Sequence, residues 1–360
     1  MRSKRPYQSN QATVRRKQPK FAYLRLGFSF LIAALFAIYI TQNPVERAIQ
    51  NIRDSINSRP ASGTIHVVEI DAKSLQKLQR WPWPRRYHAQ LIDQLNAAGV
   101  DQITFDVDFS SHSGPREDTV FAAAIARAGG KVVLPTFRQA ESSQGSTVEV
   151  ESLPIEILRK NSFLGSVNVH PDGDGQVNSY PYGTITGATP RPSIAALLAD
   201  SNGPLDVEFK IDQSVSLASI PKHSFADIIS GKFDKNGLKG KKVIVGATAI
   251  EIGDRYATSR YGVIPGVLIQ TMAAETLLAK MDLPNFGGWP MLFIIVAALI
   301  FWIHNGTSRG IAGSTMIAMT ALTLLMVPLL AERLKLAHFD LFPALLMLII
   351  FLSAQYGVRT

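Results

Sequence analysis

Three aspartates, Asp71, Asp106 and Asp108, stand at or near the ends of segments that have the pattern of buried β-strands, and Asp254 lies in the loop after the last of these segments. In a parallel sheet, the carboxyl ends of the strands border the ligand crevice. Four carboxylates at that edge could therefore bind a cation or a basic ligand. The alternative is that they cap helices and turns, because aspartate is common at the start of a helix.

A tryptophan–proline motif supplies the second group of candidates. Trp81 and Trp83 could stack on a ligand, or they could close the edge of a hydrophobic core. Arg85 and Arg86 follow directly, near the start of a predicted helix, and together could hold an anion. The alternative for the two arginines is an ion pair with one of the four aspartates.

The remaining motifs do not indicate a metal, a cofactor or a catalytic residue. Asp172-Gly-Asp-Gly175 begins like a calcium loop, but the twelfth position is Gly183, which offers no side-chain oxygen. We expect a turn there. Gly306-Thr-Ser-Arg-Gly310 matches a nucleophile elbow but joins two apolar runs, so we interpret it as a chance match. The seven histidines form no HExxH pair, and the absence of cysteine excludes disulfides and thiolate chemistry.

The elements that must position these side chains alternate between strand and helix. Strands are predicted at 65–70, 102–107, 131–135, 163–169 and 242–246, and helices carry Leu75 and Leu78, Leu91 to Leu95, and Val120 to Ile125. Asp118 is predicted to cap the third of these helices, residues 139–148 to form a loop, and residues 215–217 a short strand. The alternation predicts an α/β domain with a mainly parallel sheet and flanking helices, ended by a helix at 266–281.

Charge and hydropathy predict a membrane protein. Seven of the nine net positive charges lie in residues 1–20, a basic tail that we expect in the cytoplasm and not on nucleic acid. Residues 21–41 form a predicted transmembrane anchor, with a cleaved signal peptide as the alternative. Three further spans are predicted at 284–303, 311–331 and 341–357. This order places residues 42–283 in the periplasm and both termini in the cytoplasm.

Several motifs together resemble one family. They are Val-Glu-Ile-Asp71, Ser74-Leu75, Trp81-Pro-Trp-Pro-Arg85, His88-Ala89, Phe105-Asp106, Asp118, Ala122–Ile125, Gly165-Ser-Val-Asn168 with Asp172–Gly175, Pro192-Ser-Ile-Ala195, Leu238–Ala247, Asp254 and Pro265-Gly-Val267. Residues 45–281 resemble the CHASE2 family of bacterial extracytoplasmic sensor domains, and the three following spans fit that family's usual layout. Two positions depart from the family pattern: Asn178 stands where we expect an arginine, and Gln270 where we expect a histidine. If these positions contact ligand, the specificity of this member would differ.

The resemblance implies a multi-pass sensor in the bacterial inner membrane. It would detect an unknown small ligand or other periplasmic signal and pass it to a cytoplasmic output module or partner protein. Such outputs include cyclic-di-GMP synthases and phosphodiesterases, nucleotide cyclases and kinases, and none of their signatures is visible in the 360 residues. We expect the output either in a longer chain or in a separate partner. A homodimer could amplify the ligand-driven shift.

Two other functions remain open at this stage. A membrane-tethered periplasmic hydrolase would use the aspartate cluster for catalysis, although the sequence offers no paired base and nucleophile. A membrane scaffold would bind a partner protein without any small ligand.

Overall fold

The computed structural model describes residues 19–39, 44–79, 81–143, 146–186, 188–304 and 311–356. The chain divides into two compact units. The α/β unit comprises Gln42–Asn285 and Leu329–His338, and the helical unit comprises the rest. Most of the basic tail and the Gly306-to-Gly310 motif lie outside the described residues, so the expectations for them stay predictions.

The helices and strands have the following bounds. The helices are α1 Pro19–Tyr39, α2 Pro44–Ile56, α3 Ala72–Leu78, α4 Arg85–Ala97, α5 Pro115–Arg127, α6 Glu156–Arg159, α7 Ile194–Leu198, α8 Phe225–Ile229, α9 Lys235–Leu238, α10 Gly266–Leu278, α11 Trp289–His304, α12 Ile311–Arg333 and α13 Phe342–Tyr356. The strands are β1 Ile65–Ile70, β2 Gln102–Asp106, β3 Val132–Ser143, β4 Ser146–Ser152, β5 Phe163–Ser166, β6 Ser179–Pro181, β7 Gly183–Thr186, β8 Thr189–Pro192, β9 Glu208–Lys210, β10 Lys222–Ser224, β11 Lys242–Ala247, β12 Arg255–Thr258 and β13 Gly262–Pro265.

One seven-stranded sheet organises the α/β unit. Its order is β10-β1-β11-β2-β3-β4, and β5 also pairs with β3. Every pairing is parallel except that of β3 with β4. The predicted α/β fold with a mainly parallel sheet is therefore confirmed. Strand β11 comes late in the chain but lies between β1 and β2, so β1 and β2 are joined into one sheet only by residues 242–247.

The two faces of the sheet bury different side chains, because neighbouring residues of a strand point to opposite faces. In β1, Val68 and Ile70 pack in a core shared with α4, α5 and α8. Ile65 and Val67 pack in a second core shared with α7 and α10. The sheet is thus the middle of three layers, which explains why its strands read as nearly continuous apolar runs.

Three local predictions are wrong. Residues 139–148 are not a loop, because most of them form the antiparallel ladder between β3 and β4. Residues 215–217 are not a strand: Val215 makes a single bridge with Arg59, and a 3-10 turn begins at Leu217. Asp118 is not a helix cap, since α5 begins three residues earlier, after Gly114. The reasons differ: β3 and β4 pair with one another as a hairpin, Val215 bridges the distant Arg59, and α5 starts early at Pro115.

The helical unit carries apolar side chains on its outside as well as its inside. Two helices are long and apolar enough to cross a bilayer, over Lys20–Ala37 of α1 and Thr315–Arg333 of α12. Helices α11 and α13 are apolar but have only 16 and 15 residues. Large apolar side chains such as Phe28, Phe301 and Leu325 are exposed. Exposed apolar surface of this extent is typical of helices that face lipid.

A histidine stands at the centre of the aromatic part of the first core. The ring of His88 lies 5.3 to 6.0 Å from the rings of Phe105, Phe109, Phe121 and Phe225. Burial, together with the nearby charge of Arg85, lowers the pKa of His88 to about 3. The folded protein therefore keeps this imidazole neutral.

This burial predicts a loss of stability in acid. Because the folded pKa of His88 lies below the ordinary value of 6.5, the unfolded chain takes up the proton first as the pH falls. Between pH 7 and pH 5, His88 should lower the free energy of unfolding by about 2 kcal/mol. In the His88→Leu variant this contribution disappears, so unfolding in detergent should depend less on pH than in the native chain. Equal pH dependence in both proteins would contradict the assignment.

Candidate ligand-binding site

A cavity of about 640 Å³ opens at the carboxyl edge of the sheet in the α/β unit. This volume lies within the usual range of small-molecule sites. Its walls come from the ends of β2 and β11, from β3, β12 and α10, and from the loops after β5 and β11. The lining residues are Trp81, Asp106–Asp108, Phe137, Arg138, Val167–His170, Ala247, Gly253, Asp254, Tyr256, Gly266, Val267 and Gln270.

Close packing of α10 on the sheet forms the inner wall. Gly246 and Asp106 are paired residues at the ends of β11 and β2. A Cβ atom on Gly246 would lie 2.7 Å from the Cβ of Val267 and 3.4 Å from the Cβ of Asp106. Only glycine lets the first turn of α10 approach so closely. One turn further along, the Gln270 side chain hydrogen-bonds to the Asp106 carboxylate.

A second carboxylate reaches the cavity from the loop after β11. Gly253 has a φ of +86°, and a Cβ atom there would lie 2.5 Å from that of Ala247. The loop can therefore fold back onto the end of the strand. The Gly266 N–H donates to the Asp254 carbonyl at 2.9 Å, which attaches the loop to the start of α10. The Asp254 side chain is exposed at the mouth of the cavity.

These two carboxylates dominate the electrostatics of the inner wall. Burial, with Asp254 close by, raises the pKa of Asp106 to about 6 even though Gln270 donates to it. Burial and the same two aspartates raise the pKa of Tyr256 to about 12. The pKa of the buried Tyr180 hydroxyl is also raised, by burial and by Asp106. The inner wall therefore favours a positively charged group.

Basic side chains also line the cavity. Arg138 and His170 both line the cavity. The backbone N–H of Arg138 donates to the Asn168 side chain at 2.9 Å, and His170 Nδ1 lies 3.1 Å from the Glu208 carboxylate. The cavity lining therefore contains both acidic and basic side chains.

Two buried polar atoms next to Asp106 have no hydrogen-bond partner among the described residues. They are Oε1 of Gln270, whose residue is 2% exposed, and the hydroxyl of Tyr180, whose residue is 0% exposed. A buried polar atom without a partner costs roughly 1–3 kcal/mol. Of the two residues, Gln270 lines the cavity and Tyr180 does not, so the Gln270 oxygen is the atom that a polar ligand group could satisfy.

The structure brings four of the eight predicted site residues together at the cavity: Trp81, Asp106, Asp108 and Asp254. Asp108 also accepts hydrogen bonds from the N–H and the hydroxyl of Ser110. The role of these residues in ligand binding stays a prediction.

Asp71 has a structural role instead. It accepts hydrogen bonds from the Ser74 N–H at 2.8 Å and from the Ser224 hydroxyl at 3.0 Å. It thus caps α3, which was the alternative considered from sequence.

Trp83 belongs to the core. It is buried, and its ring lies 4.7 Å from that of Phe225. The edge of Trp81 packs on Trp83, with ring centroids 5.1 Å apart. Within the motif, Trp83 therefore belongs to the core and Trp81 to the cavity lining.

The two arginines are ion-paired and lie outside the cavity lining. Arg85 Nε lies 3.0 Å from the Asp118 carboxylate, and Arg86 pairs with Glu117. Neither partner is one of the four predicted aspartates, so the predicted alternative, an ion pair with one of those aspartates, is wrong. Asp118 and Glu117 meet the arginines because both acids lie in the first turn of α5, which packs beside α4.

Sequence reasoning missed several lining residues. They are Phe137, Arg138, Asn168, His170 and Tyr256. Most of them lie in segments without clear periodicity, so no local signal pointed to the cavity. Of the two positions that depart from the family pattern, Gln270 lines the cavity. Asn178 donates to the Asp172 side chain at 2.9 Å and lies outside the lining.

Comparison with known families agrees with this architecture. The model of the CHASE2 domain matches residues 29–306, about three quarters of the chain. The chain belongs to the CHASE2 family. CHASE2 domains are extracytoplasmic sensor domains of signalling proteins. No curated protein and no solved structure matches the chain significantly.

In this CHASE2 domain, helix α10 runs from the cavity to the segment Leu329–His338, which comprises the end of α12 and the residues after it. Its first turn lines the cavity. Just beyond its last turn, the Ala279 carbonyl accepts a hydrogen bond from Lys335 Nζ at 2.8 Å. The Pro284 carbonyl accepts from the His338 N–H at 2.9 Å. One buried helix thus contacts both regions.

A buried polar cluster attaches the segment Leu329–His338 to α2. The Glu332 carboxylate lies 3.5 Å from Arg53 Nη1 and 3.1 Å from His338 Nδ1, and it accepts from Gln50 Nε2 at 3.4 Å. The buried Asp54 lies nearby. Burial, partly offset by its bond with Gln50, raises the pKa of Asp54 to about 6.

The neighbouring arginines of the tryptophan–proline motif allow a matched test of stability. Asp118 is 3% exposed, so Arg85→Met leaves a buried carboxylate with only its contacts to His112 and the Ser113 N–H. We expect a loss of about 3–5 kcal/mol in the free energy of unfolding. The side chain of Arg86 is 57% exposed, and Arg86→Met should change stability by less than about 1 kcal/mol.

Denaturant unfolding of the full chain in detergent, followed by tryptophan fluorescence, measures both effects. The double variant Arg85→Met with Asp118→Leu should recover most of the loss, because it removes both charges together. Equal effects of the two single variants would show that the buried pair does not stabilise the motif.

Proposed function

We propose that this CHASE2 protein is an inner-membrane receptor. Its α/β unit binds a small ligand in the cavity on the periplasmic side, and the occupied state is passed through the membrane helices to a cytoplasmic output. The observation that carries the proposal is helix α10, whose first turn lines the cavity and whose carboxyl end contacts the loop between α12 and α13. A ligand that alters the first turn can therefore act on the attachment of two membrane helices.

The proposed topology has four spans, with both termini in the cytoplasm. The length and apolar composition of α1 and α12 support two of the spans. Helices α11 and α13 would make the others together with flanking residues, since a span needs about 20 residues. The segment Leu329–His338 belongs to the α/β unit, which supports a path in which α11 and α12 leave the periplasmic side and return to it.

We propose binding rather than catalysis. Among the lining residues that the structure describes there is no serine or threonine to act as a nucleophile. The half-buried Asp106 interacts with Gln270, an amide that cannot accept a proton at ordinary pH. The output reaction, such as synthesis or hydrolysis of cyclic-di-GMP, nucleotide cyclisation or phosphorylation, would belong to a module beyond these elements or to a partner protein.

A second copy of the chain is the proposed amplifier. Helix α2 buries Arg53 and Asp54 and exposes Ile52 and Ile56, at 61% and 62%. The two isoleucines lie one turn apart and form an exposed apolar face on the helix that follows the first span. A homodimer contact along this face would connect ligand binding to the spacing of the two anchors.

Cysteine crosslinking tests transmission, because the chain has no native cysteine. Helix α10 is buried, so we place the reporter on α2 as Ile52→Cys, in proteoliposomes, and use Lys235→Cys on exposed α9 as the control. The addition of small molecules from a periplasmic extract should change the crosslinking rate at Ile52 by at least about fivefold, which corresponds to a coupling free energy of about 1 kcal/mol, the lower end of the usual range. The control site should not respond.

Two further variants test whether the change in crosslinking at Ile52 depends on the cavity and on the end of α10. Val169→Trp fills the cavity and should abolish it. Lys335→Met removes the hydrogen bond to Ala279 and should reduce the change in crosslinking while binding is retained. The receptor proposal is rejected if mass spectrometry finds an extract component bound to the native protein and crosslinking at Ile52 nevertheless stays constant.

A further inference from the structure

We propose that the cavity recognises a small organic molecule by a protonated amine, held between the Asp106 and Asp254 carboxylates and the amide oxygen of Gln270. This inference rests on the proposed function, because it names the chemical class of the ligand that the receptor would bind. It extends the family assignment, which specifies no ligand.

The first support is the placement of acceptors on one wall. Asp106 at the end of β2 and Asp254 after β11 both line the cavity, and each contributes to the electrostatic environment of Tyr256. The charge of Asp254 is one of the causes that raise the pKa of Asp106, so the two carboxylates repel one another and the doubly ionised empty state is disfavoured. A cation between them relieves that repulsion, whereas an anion would add to it.

The second support is independent of charge. Gln270 is almost fully buried, its amide contacts Asp106, and its Oε1 has no partner among the described residues. The hydroxyl of Tyr180, buried close to Asp106, is also without one. An ammonium group presents three N–H donors. It can donate to the two carboxylates and to Gln270 Oε1 at once, and so satisfies an acceptor that the folded chain leaves unpaired.

The wall chemistry favours an organic cation over a metal ion. No group of three or more histidine, aspartate or glutamate side chains suited to a metal occurs within the part of the chain that the structure describes. The cavity also presents Trp81, Phe137 and Tyr256. Aromatic faces stabilise organic cations and cover apolar ligand carbons, but they supply no good ligands for a hard metal ion.

The amine could belong to a polyamine or to an amino acid. Arg138 also lines the cavity, and its positive charge would favour a carboxylate, which only the amino acid has. Putrescine and ornithine form a matched pair for this question, because they share a diamine frame and differ by one carboxylate. Succinate and 1,4-butanediol serve as the anionic and neutral counterparts of similar length.

The deciding experiment measures how crosslinking at Ile52→Cys changes when the periplasmic extract is added to the full chain in proteoliposomes. Acetylation of primary and secondary amines in the extract removes their positive charge. We expect the treated extract to lose the crosslinking response at Ile52 and the untreated extract to keep it. A full response after acetylation would overturn the amine inference and leave the receptor proposal intact. No response to either extract, despite a bound component, is the failure of the receptor proposal itself.

Site variants then test the assigned residues with putrescine and ornithine by calorimetry. Asp106→Asn should weaken binding of whichever amine binds at least about tenfold, and Gln270→Leu at least about fivefold, since each removes an interaction with a charged group. Asp101→Asn, an exposed carboxylate outside the cavity, is the matched control and should bind as the native chain does. Tighter binding of ornithine identifies an amino-acid-like ligand, and tighter binding of putrescine a polyamine. Binding of succinate or butanediol in place of both amines overturns the inference.

The affinity for the amine should also depend on pH. The groups that face Asp106 are Asp254, Gln270, Tyr180 and Tyr256, and the pKa of Asp106 in the empty cavity is about 6. Because the amine binds the ionised carboxylate, its affinity should fall about tenfold from pH 7 to pH 5. The fall should be absent in Asp106→Asn. An unchanged fall in that variant would assign the titration to another group and reject the role of Asp106.

Discussion

Close packing of α10 against the sheet at Gly246 is the constraint on which the rest of the site depends. Helix α10 is buried along almost its whole length, so it cannot shift without disturbing a core. Its position brings Gln270 to Asp106 and ties the Asp254 loop to the sheet through the Gly266 N–H. A side chain at Gly246 would separate helix from strand, and the inner wall of the cavity would open.

Further along, α10 is fixed by polar contacts that a buried helix rarely makes. Glu275 is fully buried and accepts hydrogen bonds from the N–H and the hydroxyl of Ser62, both at 2.8 Å. The Asp212 N–H donates to the Thr276 hydroxyl at 3.0 Å. Each of these groups would be costly to leave unpaired, so the helix has a single well-defined position. A ligand that alters its first turn must therefore act on a rigid body rather than on a flexible segment.

The tryptophan–proline motif supports the opposite face of the sheet. Trp83 and His88 complete an aromatic core with Phe225, and Arg85 joins Asp118 at its border. The motif that looked most suited to an anion therefore stabilises the domain, and only Trp81 reaches the cavity. The recognisable residues of this domain thus serve the scaffold as well as the candidate site, because a sensor needs a stable frame around its cavity.

Much of the fold could be predicted from the sequence alone, because the information is local. Continuous apolar runs indicated buried parallel strands, the spacing of apolar residues indicated α4, and Asp71 was recognised as a possible cap. The carboxyl-edge rule also selected Asp106, Asp108 and Asp254 before any geometry was known. The basic tail and the apolar runs predicted a membrane protein, and the CHASE2 motifs indicated a sensor.

Only the tertiary structure decided which distant segments meet. Periodicity shows which face of a strand is buried but not which strand lies beside it, so the insertion of β11 between β1 and β2 could not be read from the sequence. The cavity joins residues as far apart as Trp81 and Gln270, and the partners of Arg85 and Arg86 come from α5. The difference has one physical reason: the sequence pattern records local burial and conformation, whereas a binding site depends on contacts between segments that only the packed sheet and α10 bring together.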